Sequence, residues 1–223
     1  GIKIDVDEKG MTMTGSDSDI TIRTFLPVEK DGEQVIRVFK KGNIVLQAKV
    51  FSEIVRKLPT NDVMIEVEDG LQTHIRSGKS DFKLIGTDAE EYPILPDVNN
   101  ENYFSLPSDL MKSIIRETVL AVSQQETRPI LTGVHWGVTD EKLVFVATDS
   151  HILARRLTTP EKMPSESFSF VIPGKSLQEL NKVLPDNTET VEIVITDQQV
   201  LFKTRNVLFY SRLLEGNYPD TSR

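Results

Sequence analysis

The sequence predicts an α+β fold in which repeated domains each pack two helices on an antiparallel sheet. Three observations predict it: a long part of the chain is repeated, short apolar segments with strand-like alternation dominate both copies, and segments with helical spacing recur at matching places. At 223 residues the chain is long enough for one large core or two modest ones.

Matching short motifs reveal the repeat. The pair Asp17-Ser18 aligns with Asp149-Ser150, an offset of 132 residues. The segment AKVFSEIVRKLP (48–59) aligns with GKSLQELNKVLP (174–185) at an offset of 126. Because the offsets differ by six, the first copy contains a longer loop, which we place near residues 25–45.

The second copy is longer at its start. Residues 103–132 precede Gly133, whereas nothing in the chain precedes the equivalent Gly1. We therefore expect the chain to be a fragment whose first copy lacks its opening helix. The predicted organisation is a first domain over 1–95, a polar, turn-forming linker over 96–102 and a second domain over 103–223.

The elements of the second copy follow from periodicity. Residues 108–122 place apolar side chains at helical spacing, and Ser108 after Pro107 is the predicted N-cap. A shorter helix is predicted over 175–184, ended by Pro185. Strands are predicted, from alternation and from the turn residues that bound them, over 133–140, 142–149, 152–159, 168–172, 190–197, 199–204 and 207–214.

The first copy carries the same pattern without the long helix. Its short helix is predicted over 49–58, and residues 1–15 alternate as a strand does. Further strands are predicted over 62–69, 71–77 and 82–86.

Composition excludes several classes of protein. The chain has no cysteine, which excludes a disulfide scaffold, thiol catalysis and thiolate zinc sites. No apolar run approaches the ~18 residues that cross a bilayer. The three histidines, His74, His135 and His151, lack the paired spacing of metal ligands, so neither a metal nor a cofactor is predicted. The net charge of −8 provides no bulk attraction to nucleic acid.

Asp149, Ser150 and His151 are residue types found in hydrolases, and two interpretations are open. A catalytic relay requires the three side chains to converge, but neighbours on a strand point to opposite faces. The equivalent Asp17-Ser18-Asp19 contains no general base. The alternative is a turn in which the aspartate accepts backbone N–H groups, and the repetition favours it.

Gly174-Lys175-Ser176 follows a strand and opens a helix, as in a phosphate-binding loop. That loop requires another glycine five residues before its second glycine, and Ser169 occupies this position within a strand. A nucleotide-dependent enzyme built on this motif remains one alternative function.

Lysines open both short helices, at Lys49 and Lys175. A cation at a helix N-terminus opposes the helix dipole, so a nearby phosphate would explain its repetition; a solvated lysine is the other interpretation. Further basic residues lie on the predicted helices, at Arg56, Lys57, Lys112, Arg116 and Lys182. Such helices can hold a polyanion although the whole chain is acidic.

The motifs also resemble a known family. TRPILTGVHW, VATDSHILARR, VIPGKSLQEL and LLEGNYPD are similar to segments of the bacterial β sliding clamps, the processivity subunits of DNA polymerase III. GIKIDVDEKGMTMTGSDSDITI resembles the first domain of that family, entered partway. The resemblance covers essentially the whole chain and implies the DNA clamp fold, with three domains per family member and the third absent from this chain.

This resemblance implies a non-enzymatic function. In the family, two chains join head to tail as a homodimeric ring around duplex DNA, with helices lining the hole. The ring tethers the polymerase catalytic subunit, the clamp loader, repair polymerases and mismatch-repair proteins, which bind through short peptides. We therefore expect a cytoplasmic processivity factor without a cofactor or a membrane partner. A protein-interaction scaffold that does not encircle DNA is the second alternative.

The resemblance also assigns site residues, position by position. The family's peptide pocket lies between the second and third domains, and its second-domain positions match Leu131, Thr148, Ser150, His151, Ile152, Leu153, Pro219 and Arg223. Many members carry Gly-His-Arg-Leu at positions 150–153, so Ile152 replaces an arginine of the pocket rim. His151 is either a rim contact or a packed surface residue. DNA-facing positions match Lys49, Lys175, Gln125 and Arg128.

Overall fold

The computed structural model describes residues 1–95 and 103–222. These residues form two compact units, the first comprising 1–17 and 22–95 and the second comprising 18–21 and 103–222. The linker predicted over 96–102 lies outside the described residues, and the sequence-based domain boundaries stay predictions.

The first unit is built from short strands and one α-helix. Its elements are β1 (Ile2–Asp7), β2 (Gly10–Ser16), β3 (Ile20–Pro27), β4 (Glu29–Lys30), β5 (Glu33–Gln34), β6 (Gly42–Leu46), α1 (Ala48–Arg56), β7 (Met64–Val67), β8 (Gln72–Ser77) and β9 (Ser80–Ile85). The strands lie in the order β3-β2-β1-β6 in one sheet and β7-β8-β9 in another, while β4 and β5 form a separate hairpin.

The core of the first unit joins these elements. Helix α1 buries Phe51 and Ile54, which lie on one face at a spacing of three residues. They cluster with Ile4 from β1, Ile44 from β6 and Ile75 from β8. The sequence treated residues 1–15 as one strand, but the chain reverses after Asp7, whose carboxylate accepts the N–H groups of residues 9 and 10.

The second unit repeats this plan and adds a strand and a helix. Its elements are β10 (Tyr103–Pro107), α2 (Ser108–Val119), β11 (Gly133–Thr139), β12 (Lys142–Thr148), β13 (Leu153–Thr158), β14 (Ser169–Pro173), α3 (Gly174–Val183), β15 (Thr190–Ile195), β16 (Gln199–Lys203) and β17 (Val207–Arg212).

The strand orders of the two units correspond. The order β13-β12-β11-β14 matches β3-β2-β1-β6, and the run β15-β16-β17 matches β7-β8-β9. In each unit a short helix, α3 or α1, follows the last strand of the first set. Strand β10 pairs with β15, and α2 packs on α3 and on three strands of the neighbouring sheet. Neither β10 nor α2 has a counterpart among the described residues of the first unit.

Trp136 on β11 is the centre of the second core. Its ring meets Phe145 edge-on at 4.7 Å and Phe202 edge-on at 5.7 Å, between ring centroids. Edge-to-face packing at these distances is the favoured geometry for aromatic pairs. Phe170 and Phe209 are also buried. These aromatic side chains therefore form the core of the second unit.

In the first unit, β3 and β6 were not predicted, and β4 and β5 lie in the stretch predicted as a loop. Three local details of the second unit also differ from the sequence predictions. Ser108 does not cap α2, because its hydroxyl donates to the carbonyl of Pro185 at 2.7 Å and Pro107 occupies the N-cap position. The helix ends at Val119 rather than at 122, since the N–H of Ala121 turns back to Thr118 in a tighter turn. Strand β10 was not predicted, although Phe104 and Leu106 alternate as buried residues within it.

Candidate peptide-binding and DNA-facing sites

Residues 148–153 form a tight turn between β12 and β13, which we call the Asp149 turn. The Asp149 carboxylate accepts the N–H groups of His151 and Ile152, both at 2.8 Å. Ser150 has a backbone φ of +79°, in the left-handed region. The N–H bonds from Ile152 and His151 hold the pKa of the Asp149 carboxyl below its ordinary value. The turn interpretation is therefore confirmed, and the described geometry contains no relay among these three side chains.

Thr148 connects the Asp149 turn to its surroundings. Its hydroxyl donates to the carbonyl of Ile152 at 2.6 Å and accepts the N–H of Ser150 at 3.1 Å. Its own N–H donates to the phenol oxygen of Tyr218 at 2.9 Å. The segment that contains Tyr218 and Pro219 is thereby fixed to the turn, although it lies seventy positions away in the sequence.

The structure therefore groups most of the predicted peptide-contact residues. Ser150 and His151 are exposed, and the side chains of Ile152 and Leu153 are 48% and 50% exposed. Leu131, predicted as part of the pocket floor, is only 3% exposed. Pro219 is half-buried next to Tyr218, whereas Arg223 lies outside the described residues.

A cleft of about 1160 Å³ lies between one face of the β13-β12-β11-β14 sheet and residues 212–222. Its lining includes Arg155, Val146, His135, Ser169, Tyr218 and Pro219. Of the described residues predicted to contact a peptide, only Pro219 lines it. Arg156, one position from Arg155, pairs with Glu117 of α2 at 2.5 Å, so successive side chains of β13 point to opposite faces of the sheet.

His135 supports this cleft from the sheet. Its ring stacks on that of Tyr218 with centroids 5.3 Å apart and planes 20° apart, and Nε2 lies 2.8 Å from Ser169 Oγ. Burial lowers the pKa of His135, because the charged imidazolium is poorly solvated there. Burial also raises the pKa of Tyr218, an effect that the N–H of Thr148 opposes. Sequence reasoning assigned no role to either residue; the Tyr-Pro pair repeated at 92–93 and 218–219 was the available signal.

The Gly174-Lys175-Ser176 motif does not form a phosphate-binding loop. Strand β14 ends at Pro173 and helix α3 begins at Gly174, so no loop lies between them. A Cβ added at Gly174 would lie 2.9 Å from the carbonyl oxygen of Thr132, which shows that the glycine is needed for close packing. Ser176 is only 2% exposed. The nucleotide-dependent alternative therefore has no geometric support.

The helix-opening lysines are available to solvent, whereas one of the other basic residues is not. Lys49 and Lys175 are exposed in the first turns of α1 and α3. Lys112 of α2 instead contacts Asp186 at 2.5 Å and donates to the carbonyl of Leu184 at 3.1 Å. It therefore fixes the end of α3 to α2 and is not free to contact a ligand.

Gln125 and Arg128 lie in the connection between α2 and β11. Both are exposed. Two backbone hydrogen bonds hold the connection. The N–H of Ser123 donates to the carbonyl of Leu131 at 2.8 Å, and the N–H of Leu131 donates to the carbonyl of Arg128 at 3.0 Å. The two side chains are thus presented on an ordered loop.

Residues 1–95 and 103–222 contain no cluster of three or more histidine and carboxylate side chains able to hold a metal ion. No helix in this part of the chain is both long and apolar enough to span a bilayer.

The duplicated helix-on-sheet units and their repeated turns define the class of protein as a tandem of clamp domains. Family models match both units: the N-terminal domain of the DNA polymerase III beta subunit over residues 1–96 and the central domain over 105–220. The chain belongs to the DNA polymerase III beta subunit family, the bacterial β sliding clamps.

Individual relatives agree with this assignment. The chain is 54% identical over 222 residues to the beta sliding clamp of Bacillus subtilis strain 168 and 55% identical over 223 residues to that of Halalkalibacterium halodurans. These matches cover 100% and 99% of the chain and 59% of each relative, so the chain spans about 59% of their length.

Solved structures show the same similarity. The sliding clamp of Bacillus subtilis superposes with a TM-score of 0.95 at 54% identity, covering 100% of this chain and 58% of that one. The beta subunit of Streptococcus pyogenes superposes with a TM-score of 0.90 at 42% identity, covering 99% and 58%. The prediction of the clamp fold is confirmed.

Proposed function

We propose that this chain acts as part of a sliding clamp, which encircles duplex DNA and tethers the replicative polymerase and other factors through their short peptide motifs. The observation that carries the proposal is the tandem of clamp domains, which matches a bacterial sliding clamp over the whole chain. In this proposal the chain acts as a tether without chemistry of its own, and the Asp149-Ser150-His151 motif serves as a turn.

The DNA contact is electrostatic and independent of sequence. Lys49 and Lys175 lie in equivalent, exposed positions at the starts of two short helices, and Gln125 and Arg128 lie on an exposed loop. Phosphate contacts of this kind position a protein on DNA without reading bases. In a closed homodimeric ring a weak contact is sufficient, since topology rather than affinity prevents dissociation and a weak contact permits sliding.

The peptide contact is apolar with a polar edge. Ile152 and Leu153 are half-exposed apolar side chains on an ordered turn, and Ser150 and His151 stand beside them. Partly exposed apolar side chains on a rigid support suit the leucine and phenylalanine anchors of a short peptide. Leu131 would support the wall from below, while Pro219 and Arg223 would form its edge. The expected partners are the polymerase catalytic subunit, the clamp loader, repair polymerases and mismatch-repair proteins, all in the cytoplasm.

The test uses the product of the complete gene together with its clamp loader. The protein is loaded onto nicked circular DNA, the circle is cut at one site, and retention on the DNA is followed through a sizing column. We expect loss of the protein on linearisation, because a ring slides off free ends. Retention on the linear product at the same salt concentration would establish an ordinary binding site and contradict encirclement.

A further inference from the structure

Tyr218 joins three parts of the second unit. Its phenol oxygen accepts the N–H of Thr148 at 2.9 Å, at the start of the Asp149 turn. Its ring stacks on His135 of β11, with 5.3 Å between centroids. A few residues earlier, the N–H of Leu214 donates to the carbonyl of Val171 on β14 at 2.8 Å. Residues 214–218 therefore contact three neighbouring strands of this sheet: β14 through Leu214, and β11 and β12 through Tyr218.

Thr148 transmits this contact to the turn. Its hydroxyl spans the turn by bonding to the carbonyl of Ile152 and the N–H of Ser150. Of these bonds, only the one from its N–H reaches a residue outside the turn. The orientation of Ile152 and Leu153 relative to Pro219 thus depends on the phenol oxygen of Tyr218.

The stack with His135 holds the phenol in place. The imidazole is itself fixed, because its Nε2 lies within hydrogen-bonding distance of Ser169 Oγ, at 2.8 Å. Stacking of this kind restricts the orientation of the Tyr218 ring. Tyr218 is therefore held by its ring on one side and by its hydroxyl on the other.

The first unit contains the matching tyrosine. Tyr92 lies at the position equivalent to Tyr218, and the backbone of Ser16, equivalent to Thr148, hydrogen-bonds its hydroxyl. The same hydroxyl donates to the carbonyls of Gly1 and Thr14, each at 3.0 Å. The link between a tyrosine and an Asp-Ser turn is thus part of the repeated architecture. Only in the second unit does this turn carry residues proposed to contact a peptide.

We infer that Tyr218 is a positioning residue for the peptide-binding wall: through the N–H of Thr148 it sets where Ile152 and Leu153 stand relative to Pro219. It acts through the turn and does not need to touch the peptide. This inference rests on the proposed peptide contact.

The experiment compares Tyr218→Phe with its internal match, Tyr92→Phe, in the product of the complete gene. Both changes remove one phenol oxygen bonded to a turn and keep the ring. A fluorescein-labelled synthetic peptide with leucine and phenylalanine anchors serves as the probe, and fluorescence anisotropy gives its Kd. Thermal unfolding is measured in parallel as the readout of a purely structural effect.

We expect Tyr218→Phe to raise the Kd about three- to tenfold, the range that follows from losing one hydrogen bond, and Tyr92→Phe to change it less than about twofold. Tyr92→Phe should lose at least as much thermal stability as Tyr218→Phe, because the Tyr92 hydroxyl makes more hydrogen bonds. Equal Kd values for Tyr218→Phe and the unaltered protein, or an equal increase in both variants, would overturn the inference while leaving the proposed function intact. If the unaltered protein does not bind the peptide, the proposed function falls and the inference falls with it.

Discussion

At the scale of single residues, Asp149, Ser150 and His151 show how three neighbouring polar residues can serve a turn. One oxygen of the Asp149 carboxylate, Oδ1, accepts two backbone N–H groups of the turn, and Ser150 occupies a left-handed backbone conformation. A nucleophile needs a free base within hydrogen-bonding reach. The same residues instead fix Leu153 at the start of β13, where half of its side chain is exposed.

Leu153→Asp tests whether that exposed surface binds peptides. The side chain is half in solvent, so the fold should tolerate a carboxylate, but an apolar peptide anchor would meet an unpaired charge. We expect peptide affinity to fall more than about tenfold and thermal stability to change little. Calorimetric titration with the peptide is the measurement.

The matched control for this change is Leu157→Asp. Leu157 lies on the same strand and the same side of it, and it is 44% exposed. Its replacement should leave peptide affinity unchanged. An equal loss of peptide affinity in both variants would point to a general effect of charge on β13 and would contradict the assignment of Leu153 to the peptide-binding wall.

We expect His135 to make the stability of the second unit depend on pH. Burial lowers its pKa below the ordinary value of 6.5, so the unfolded chain binds more protons than the native chain just below that pH. Stability should therefore fall as the pH is lowered from about 7.5 to about 5.5, the range in which a histidine normally titrates. In His135→Leu, urea unfolding at the two pH values should show a smaller difference. An identical pH dependence in the variant would mean that other groups cause the loss.

At the scale of elements, the junction between β14 and α3 shows why a glycine opens the helix. A Cβ added at Gly174 would lie 2.9 Å from the carbonyl oxygen of Thr132 and 3.2 Å from Val122 Cγ2. The helix and the connection after α2 approach closely only because this position has no side chain. The glycine thus serves packing between elements.

Gly174→Ala separates packing from helix propensity. Alanine is favoured over glycine by at most about 1 kcal/mol at this first residue of the helix, but overpacking against a backbone carbonyl costs about 1–3 kcal/mol. We expect a net loss in the free energy of unfolding, measured with urea. Gly15→Ala in strand β2 is the control for an added methyl group without a close contact, because an added Cβ at Gly15 meets no atom within 4 Å. A stabilised Gly174→Ala variant would contradict the close approach.

Most elements could be predicted from the sequence because their periodicity agrees with their burial. Strand β12 and helix α3 were located within one or two residues, since alternation and bounding turn residues define them. Strand β10 was not predicted, because it has only five residues and leads directly into α2. The hydrogen bond of Ser108 to Pro185 was not predictable either, because it depends on a partner seventy-seven positions away.

The candidate site was predictable only in part. The residues of the Asp149 turn are contiguous, so a motif identifies them together. Tyr218 and His135 enter through tertiary contacts, and an isolated aromatic or histidine residue carries no signal of such a contact. The residue-by-residue assignment of peptide and DNA contacts stays a prediction.

At the scale of the whole molecule, charge is distributed unevenly over an acidic chain. The net charge is −8, yet exposed lysines open the short helix of each unit. General repulsion of DNA by the surface combined with local attraction at the helices would favour a mobile contact over a fixed one. The effect should depend strongly on salt, because it arises from phosphate contacts.

Lys49→Glu combined with Lys175→Glu tests this distribution in the product of the complete gene. We expect fewer rings loaded on nicked circular DNA at about 50 mM salt and a smaller difference at about 200 mM, where such contacts are already weakened. The control is Lys79→Glu with Lys142→Glu, two exposed lysines outside the helices, which produces the same change in net charge. Equal loading defects in the two double variants would exclude a special role for the helix starts.

The β4–β5 hairpin lies where the two copies differ in length by six residues. Its four strand residues are all exposed, and the second unit connects the equivalent strands β13 and β14 without it. The two copies thus show that the fold forms both with and without an insertion at this place. Lengthening a surface loop also has only a small entropic cost. The hairpin tip at Asp31-Gly32 is accordingly the position at which to attach a fluorophore or an affinity tag for following single molecules, far in sequence from the Asp149 turn.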